Sequence, residues 1–225
     1  MAGDRGSPWD DDGVADRIEA QWRGSTFEAA HVAALGDLCA RYFTSRNLKV
    51  LEVGCGTGRI YGQLVPRLLP PDGYTGVDLS ARMLAIARRR FPAGDFRRGD
   101  GCALDLPDRA VDYALAFEVA GHLPALTPLL RELGRVSRRG FLFSFWPAAE
   151  DEGVVEDHEL VGQTRFLHRR YPVSVVAAET AAALPGMALA LEVAILHSET
   201  WACVLHRREG APGVSVPRPR PGAKN

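Results

Sequence analysis

The sequence predicts an α/β fold: a seven-stranded sheet, mostly parallel, with a C-terminal antiparallel hairpin and helices on both faces. Three observations predict it. From Lys49 to Phe145, short β-rich runs alternate with amphipathic stretches of helical spacing, the pattern of βαβ units around a parallel sheet. The first of these runs leads directly into three glycines spaced two apart, Gly54, Gly56 and Gly58. The last two runs, Leu189–His197 and Thr200–His206, are separated by only a couple of residues and must turn back on each other.

Taken in order, residues 1–13 are polar and carry an Asp run, which suits a loose start. Apolar residues then recur at helical spacing through Val14, Ile18 and Trp22 and again through Phe27, Val32, Leu35, Leu38 and Tyr42. This predicts two helices broken near Gly24 and Ser25. The alternating region follows: strand Lys49–Val53, helix Ile60–Leu69, strand Tyr74–Val77, helix Ala81–Arg90, strand Asp95–Arg98, strand Val111–Phe117, helix Ala125–Val136 and strand Phe141–Phe145. Residues 148–188 leave room for a loop and one helix, Val173–Leu184, with no large insertion after the fifth strand. Residues 211–225 hold four prolines and two glycines and suit a disordered tail. The domain division is 1–46 for an N-terminal helical lid, 47–208 for the α/β domain and 209–225 for the tail.

A chain of 225 residues with 46% hydrophobic and 24% charged residues is long enough to bury its own core. Its net charge of -1 supplies no general field for nucleic acid or anionic lipid. Lys49 and Lys224 are the only lysines, so the basic residues are nearly all arginine, which reads as compositional bias. Cys39, Cys55, Cys102 and Cys203 show no paired spacing and are expected as free thiols in a reducing compartment. The first residues lack the apolar run of a secretory signal, and no run reaches the length of a membrane span, so a cytoplasmic location is expected.

The segment Val50-Leu51-Glu52-Val53-Gly54-Cys55-Gly56-Thr57-Gly58-Arg59 takes a buried strand through glycines into a helix. Glycine suits both a tight turn and a close approach of backbone to a ligand, and the helix start offers free N–H groups. A dinucleotide fingerprint would need its third glycine at Arg59. With Glu52 ahead of Gly54, Gly56 and Gly58, the segment instead resembles the first motif of class I S-adenosylmethionine-dependent methyltransferases. Gly76-Val77-Asp78-Leu79-Ser80 and Gly99-Asp100-Gly101-Cys102 through Leu106-Pro107-Asp108 follow in that family's order, and Val111–Phe117 stands as its fourth strand. The resemblance runs from Lys49 to Pro147, more weakly to His206, and implies a Rossmann-like fold with S-adenosylmethionine as cofactor and S-adenosylhomocysteine as product. It places Gly54, Cys55, Gly56 and Gly58 around the methionine part, Glu52 on the ammonium and Asp78 on the ribose. Asp100, Gly101 and Cys102 would bound the adenine, with Leu79, Met83 and Phe117 as apolar walls.

In open α/β sheets ligands lie beyond the carboxyl ends of the strands, so residues after the fourth and fifth strands face the acceptor. His122 is the candidate general base there; its alternative is to cap the next helix or pack beneath the loop. Trp22, Glu118 and Trp146 are the candidate substrate contacts, Trp146 by stacking on a flat substrate. Trp9, Trp22 and Tyr42 are expected to close over the pocket as a lid. The run Glu118–His122 also resembles the ExxEH segment of ubiquinone-pathway O-methyltransferases, but Gly121 stands where the second Glu would be, so no metal is expected. The acidic stretch Glu150–Glu159 reads as a solvated loop, or as a lure for a cationic amine.

The implied activity is methyl transfer to an oxygen or nitrogen of a small metabolite by a monomer or homodimer with no nucleic-acid or membrane partner. Base methylation is disfavoured because the fourth strand runs into Phe117-Glu118-Val119-Ala120, not the [N/D]PP[Y/F/W] signature of exocyclic-amine methyltransferases. The clusters Arg88–Arg90 and Arg138-Arg139 are expected at the edge opposite the site, satisfying helix ends. Other readings of the same motifs remain an RNA or protein methyltransferase and a cofactor-binding scaffold without activity.

Overall fold

The computed structural model describes residues 8–11, 13–185, 189–197 and 200–207. The expected tail, the first seven residues and the side chain of Cys203 lie outside the described residues. Two helices come first, α1 (Val14–Arg23) and α2 (Thr26–Ala40). They are separated at Gly24, and the Ser25 hydroxyl caps α2 by accepting the Glu28 N–H at 3.1 Å.

The alternating region follows as β1 (Val50–Val53), α3 (Arg59–Leu64), β2 (Tyr74–Asp78), α4 (Ala81–Arg90), β3 (Asp95–Arg98), β4 (Val111–Ala116), α5 (Thr127–Val136) and β5 (Ser137–Pro147). Helix α3 stops at Leu64, short of the expected Leu69, because Pro66 has no N–H to offer the preceding turn. The chain closes with β6 (Val155–Val161), β7 (Thr164–Tyr171), α6 (Val173–Ala183), β8 (Leu189–His197) and β9 (Thr200–Arg207).

The main sheet runs β3-β2-β1-β4-β5-β9-β8, parallel except for β9, which lies antiparallel to β5 and carries β8 as its hairpin partner. These are the seven expected strands in a mostly parallel sheet. The chain leaves β1 toward β2 on one side and later returns to β4 on the other, so the crevice between β1 and β4 is the topological switch point. One face of the sheet packs Leu51, Ala114 and Phe143 against Leu129, Leu130 and Leu133 of α5 and Val176 of α6. The opposite face packs Val50, Tyr74 and Leu115 against Leu35 and Leu38 of α2, Leu64 of α3 and Leu84 of α4.

The reading of residues 148–188 requires a correction. Strands β6 and β7 form an antiparallel hairpin with a two-residue turn, and β7 pairs in parallel with Trp146 and Pro147 at the extreme end of β5. The hairpin therefore projects past the carboxyl edge of the main sheet, where a ligand would sit. It was illegible because β6 is an exposed edge strand of mostly charged residues, with no apolar alternation. Glu156 and Asp157 belong to this strand and not to a solvated loop, and Glu156 pairs with Arg169 at 2.7 Å. No helix among the described residues is long and apolar enough to cross a membrane.

Candidate active site

After β1 the backbone N–H groups of Gly54 and Cys55 both donate to the Val77 carbonyl, at 2.7 and 3.1 Å, pinning the glycine loop to β2. Gly54 has φ 69, and a Cβ there would lie 2.3 Å from Val119, so no other residue fits. Gly56 has φ 51 and a Cβ there would meet nothing within 4 Å, because it opens into a cavity of about 620 Å³. Gly58 departs from the expectation. It does not line the cavity; its missing side chain makes room for the rings of Phe91 and Phe96 beneath the loop.

The cavity gathers the other expected cofactor residues: Glu52, Gly54, Cys55, Gly56, Asp78, Leu79, Met83, Asp100, Gly101, Cys102 and Phe117. Asp78 ends β2 with Oδ2 accepting the Gly56 N–H and Oδ1 accepting the Ser80 N–H, both at 2.8 Å. Each oxygen keeps a second lone pair for a ligand. Burial raises the Asp78 carboxyl above its usual value, and these two N–H groups counter the rise. Asp100 accepts the Cys102 N–H at 2.8 Å, fixing the loop after β3. Leu79 is a large apolar side chain left 45% exposed at the cavity wall, whereas Met83 is fully packed between α4 and α1.

Glu52 is buried in β1, and the Tyr74 hydroxyl donates to its Oε2. Burial pushes its carboxyl up to about 8, the Tyr74 hydrogen bond opposing and the Asp78 charge adding to the rise. It is a carboxylate held near neutrality beside a cavity, a state that a bound cation would reverse.

Beyond the ends of β4 and β5 a second cavity of about 550 Å³ adjoins the first, and both are lined by Trp9, Trp22, His31, Glu118 and His122. Glu118 sits at φ 58, a left-handed conformation unusual for a side chain of its size. Its surroundings hold it there. Its N–H donates to the Ser144 hydroxyl at 2.7 Å, that hydroxyl donates back to Oε1 at 2.9 Å, and Trp146 Nε1 donates to Oε2 at 3.1 Å. His31 Nε2 lies 3.2 Å from Oε1. Burial opposes the charge, but the hydrogen bonds and charge of His31, with Ser144 and Trp146, outweigh it and keep the carboxyl below its ordinary value.

His122 lies in a short turn, Ala120–His122, with Nδ1 at 2.8 Å from the Leu167 carbonyl of β7. A carbonyl only accepts, so Nδ1 carries the proton and Nε2 the lone pair. Burial lowers the His122 pKa, which keeps the ring neutral. The ring packs against Trp9 and Trp146 and lines both cavities.

Trp146 lines the second cavity, but its neighbours already take part of its ring surface. One side of its ring stacks on His168 at 3.9 Å, and a Cβ on Gly121 would fall 2.0 Å from Cζ3 on the ring. The indole thus occupies the space where a Glu at position 121 would project, so the ExxEH arrangement cannot form. Tyr42 also departs from the lid role, packing against the core under α2.

Sequence reasoning missed the anchors of the N-terminal helices. Glu19 of α1 is buried and accepts the Thr57 hydroxyl at 2.7 Å, tying α1 to the glycine loop. Arg90 reaches the same carboxylate at 3.1 Å, so that arginine serves the loop and not a helix end. Arg59 pairs with Glu28 of α2 at 3.0 Å and lies 4.5 Å over the Trp22 ring. His31, Phe166 and His168 were missed for the same reason: each reaches the site from an element far away in sequence.

A glycine loop, acidic strand ends and a switch-point cavity stand together in a Rossmann-like α/β fold. Residues 50–140 match the family model described as a methyltransferase domain. Among curated relatives it is 38% identical over 94 residues to a phthiotriol/phenolphthiotriol dimycocerosates methyltransferase of Mycobacterium ulcerans, covering 41% of this chain and 34% of that protein. It is 36% identical over 122 residues to the trans-aconitate 2-methyltransferase of Methylobacterium nodulans, covering 54% and 46% of the two chains. The chain thus spans between about a third and a half of these relatives' length. Magnesium protoporphyrin IX methyltransferase of Synechocystis, solved with its cofactor, superposes with a TM-score of 0.66 at 15% identity over 89% of this chain and 93% of that one, a likeness of fold.

Proposed function

We propose that the chain is an S-adenosylmethionine-dependent methyltransferase that moves a methyl group to an oxygen or nitrogen of a small molecule. The observation that carries this reading is the cavity at the switch point, which brings Gly56, Asp78, Asp100 and Glu52 to one ligand-sized space. The residues fit the cofactor. The bare Cα of Gly56 leaves room for its amino-acid part, the spare lone pairs of Asp78 suit two ribose hydroxyls, and buried Glu52 suits an ammonium.

When bound, the cofactor supplies a sulfonium-activated methyl group. The protein's own work is placement and exclusion of water. Trp9 and Trp22 wall both cavities, and Glu118, fixed by His31, Ser144 and Trp146, sets a negative charge at their junction. His122 presents the Nε2 lone pair that can take the acceptor's proton.

Titration calorimetry with S-adenosylmethionine and S-adenosylhomocysteine tests the reading; a protein with no affinity for either would end it. Asp78→Ala removes a charge-assisted hydrogen-bonding pair, so affinity should fall about 10–150-fold in the same titration.

A further inference from the structure

The second cavity carries more information about its occupant than its size. Phe166 and His168 alternate along the inward side of β7, and Trp9 packs its ring 4.3 Å from Phe166 and edge-on to His122 at 5.0 Å. His168 and Gly121 take part of the Trp146 surface, and further flat walls come from the N-terminal segment and the β6–β7 hairpin. Among these aromatic walls stand two hydrogen-bond acceptors: Nε2 of His122, and Oε2 of Glu118, which takes one bond from Trp146. The Arg59 charge in the wall is neutralised by Glu28. Arg170, also in the wall, is exposed to solvent, where water and salt screen its charge.

Resting on the methyltransferase reading, we propose that the acceptor is a neutral molecule whose reacting hydroxyl sits on a flat conjugated ring, a phenol or an enol, with that hydroxyl against Nε2 of His122. The aromatic walls favour a planar ring by offset and edge contacts. The lone pair at Nε2 requires a donor, which a hydroxyl supplies and a carboxylate does not. The fixed charge of Glu118 adds repulsion against an anionic acceptor. An ammonium would be attracted by Glu118 but has no lone pair to attack with, and a neutral, weakly basic imidazole is poorly matched to deprotonate it. Base strength also separates phenols from alkyl alcohols: a phenolic proton near pKa ~10 is far easier for imidazole to take than one near ~16. In the reaction, an oxygen lone pair forms the bond to the methyl carbon while the carbon–sulfur bond breaks and its electrons stay on sulfur. The hydroxyl proton passes to Nε2, and the resulting imidazolium releases it to water.

The test uses the full chain saturated with S-adenosylhomocysteine and four probes of one shape: naphthol, naphthoate, naphthylmethylamine and the saturated alcohol decahydronaphthol. Quenching of tryptophan fluorescence, checked by calorimetry, reads binding. Naphthol should bind at least about tenfold more tightly than naphthoate and decahydronaphthol, and with S-adenosylmethionine it alone of the four, the amine included, should yield a methylated product by mass spectrometry. In Glu118→Gln the preference of naphthol over naphthoate should shrink by about tenfold, since the repelling charge is gone. Equal or tighter binding of naphthoate or decahydronaphthol, methylation of the amine, no naphthol binding by protein that binds S-adenosylhomocysteine, or an unchanged ratio in the variant would overturn the proposal. Failure of S-adenosylhomocysteine itself to bind would instead remove the methyltransferase reading beneath it.

Discussion

At the scale of residues, Glu52 and Gly121 show how one atom's surroundings decide its use. Glu52 ionises near pH 8 in the ligand-free protein, above its ordinary 4.5, because burial disfavours the charge. The folded state therefore holds a proton that the unfolded chain has lost, and stability falls as pH rises between those two values. The neighbouring Tyr74 and Cys55 are pushed further up and stay neutral throughout that window. A cofactor ammonium needs the ionised carboxylate, so affinity should rise from pH ~6 to ~8, where the ligand's own amine begins to lose its charge. Calorimetry at pH ~6.5 in buffers of different ionisation enthalpy should count close to one proton released; Glu52→Gln should abolish both the release and the rising limb. Gly121 illustrates a steric constraint. In Gly121→Ala the new methyl would collide with Trp146, which must swing away and drop its bond to Glu118. Urea unfolding should show a loss of about 1–3 kcal/mol, an outcome that a relaxed loop at this position would not give.

At the scale of elements, the N-terminal helices are better described as docked than as a free lid. Helix α1 holds the glycine loop through Glu19 and Thr57, and α2 holds the start of α3 through Glu28 and Arg59. A further clasp comes from Asp10, which accepts the Ser80 hydroxyl at 2.7 Å at the start of α4. Glu19→Ala leaves the Thr57 hydroxyl and the partly exposed Arg90 without their shared partner. The expected cost is about 1–3 kcal/mol of stability, discounted from a fully buried pair because Arg90 reaches solvent. Cofactor affinity should fall with it, and a variant with unchanged affinity and melting temperature would show that α1 does not brace the loop. The β6–β7 hairpin is the other element that shapes the site, since it carries Phe166, His168 and the carbonyl that orients His122. Its pattern was unreadable as a strand pair because neither side of β6 is buried.

At the scale of the whole molecule, a ligand at the switch point touches β1, β2, β4 and both N-terminal helices at once. Binding should therefore stabilise the fold as a unit. At a hundredfold excess over its dissociation constant, S-adenosylhomocysteine should add about 2.7 kcal/mol and raise the melting temperature by roughly 5–10 °C in a thermal scan. An unmoved melting temperature at that excess would show that the ligand does not bind the native fold. Local patterns in the chain were sufficient to predict the seven-stranded, mostly parallel sheet, the glycine turn with Gly54 and Gly56, and the carboxylates at or near the ends of β1, β2 and β3. Each of these depends on residues close in sequence: strand period, a left-handed glycine, a polar residue at a strand's end. Tertiary structure alone decided that Gly58 faces Phe91, that Trp146 stacks on His168, that His31 meets Glu118 and that β7 fixes the tautomer of His122. Those relations join residues tens of positions apart, and only the packing of whole elements brings their side chains within hydrogen-bonding or van der Waals reach.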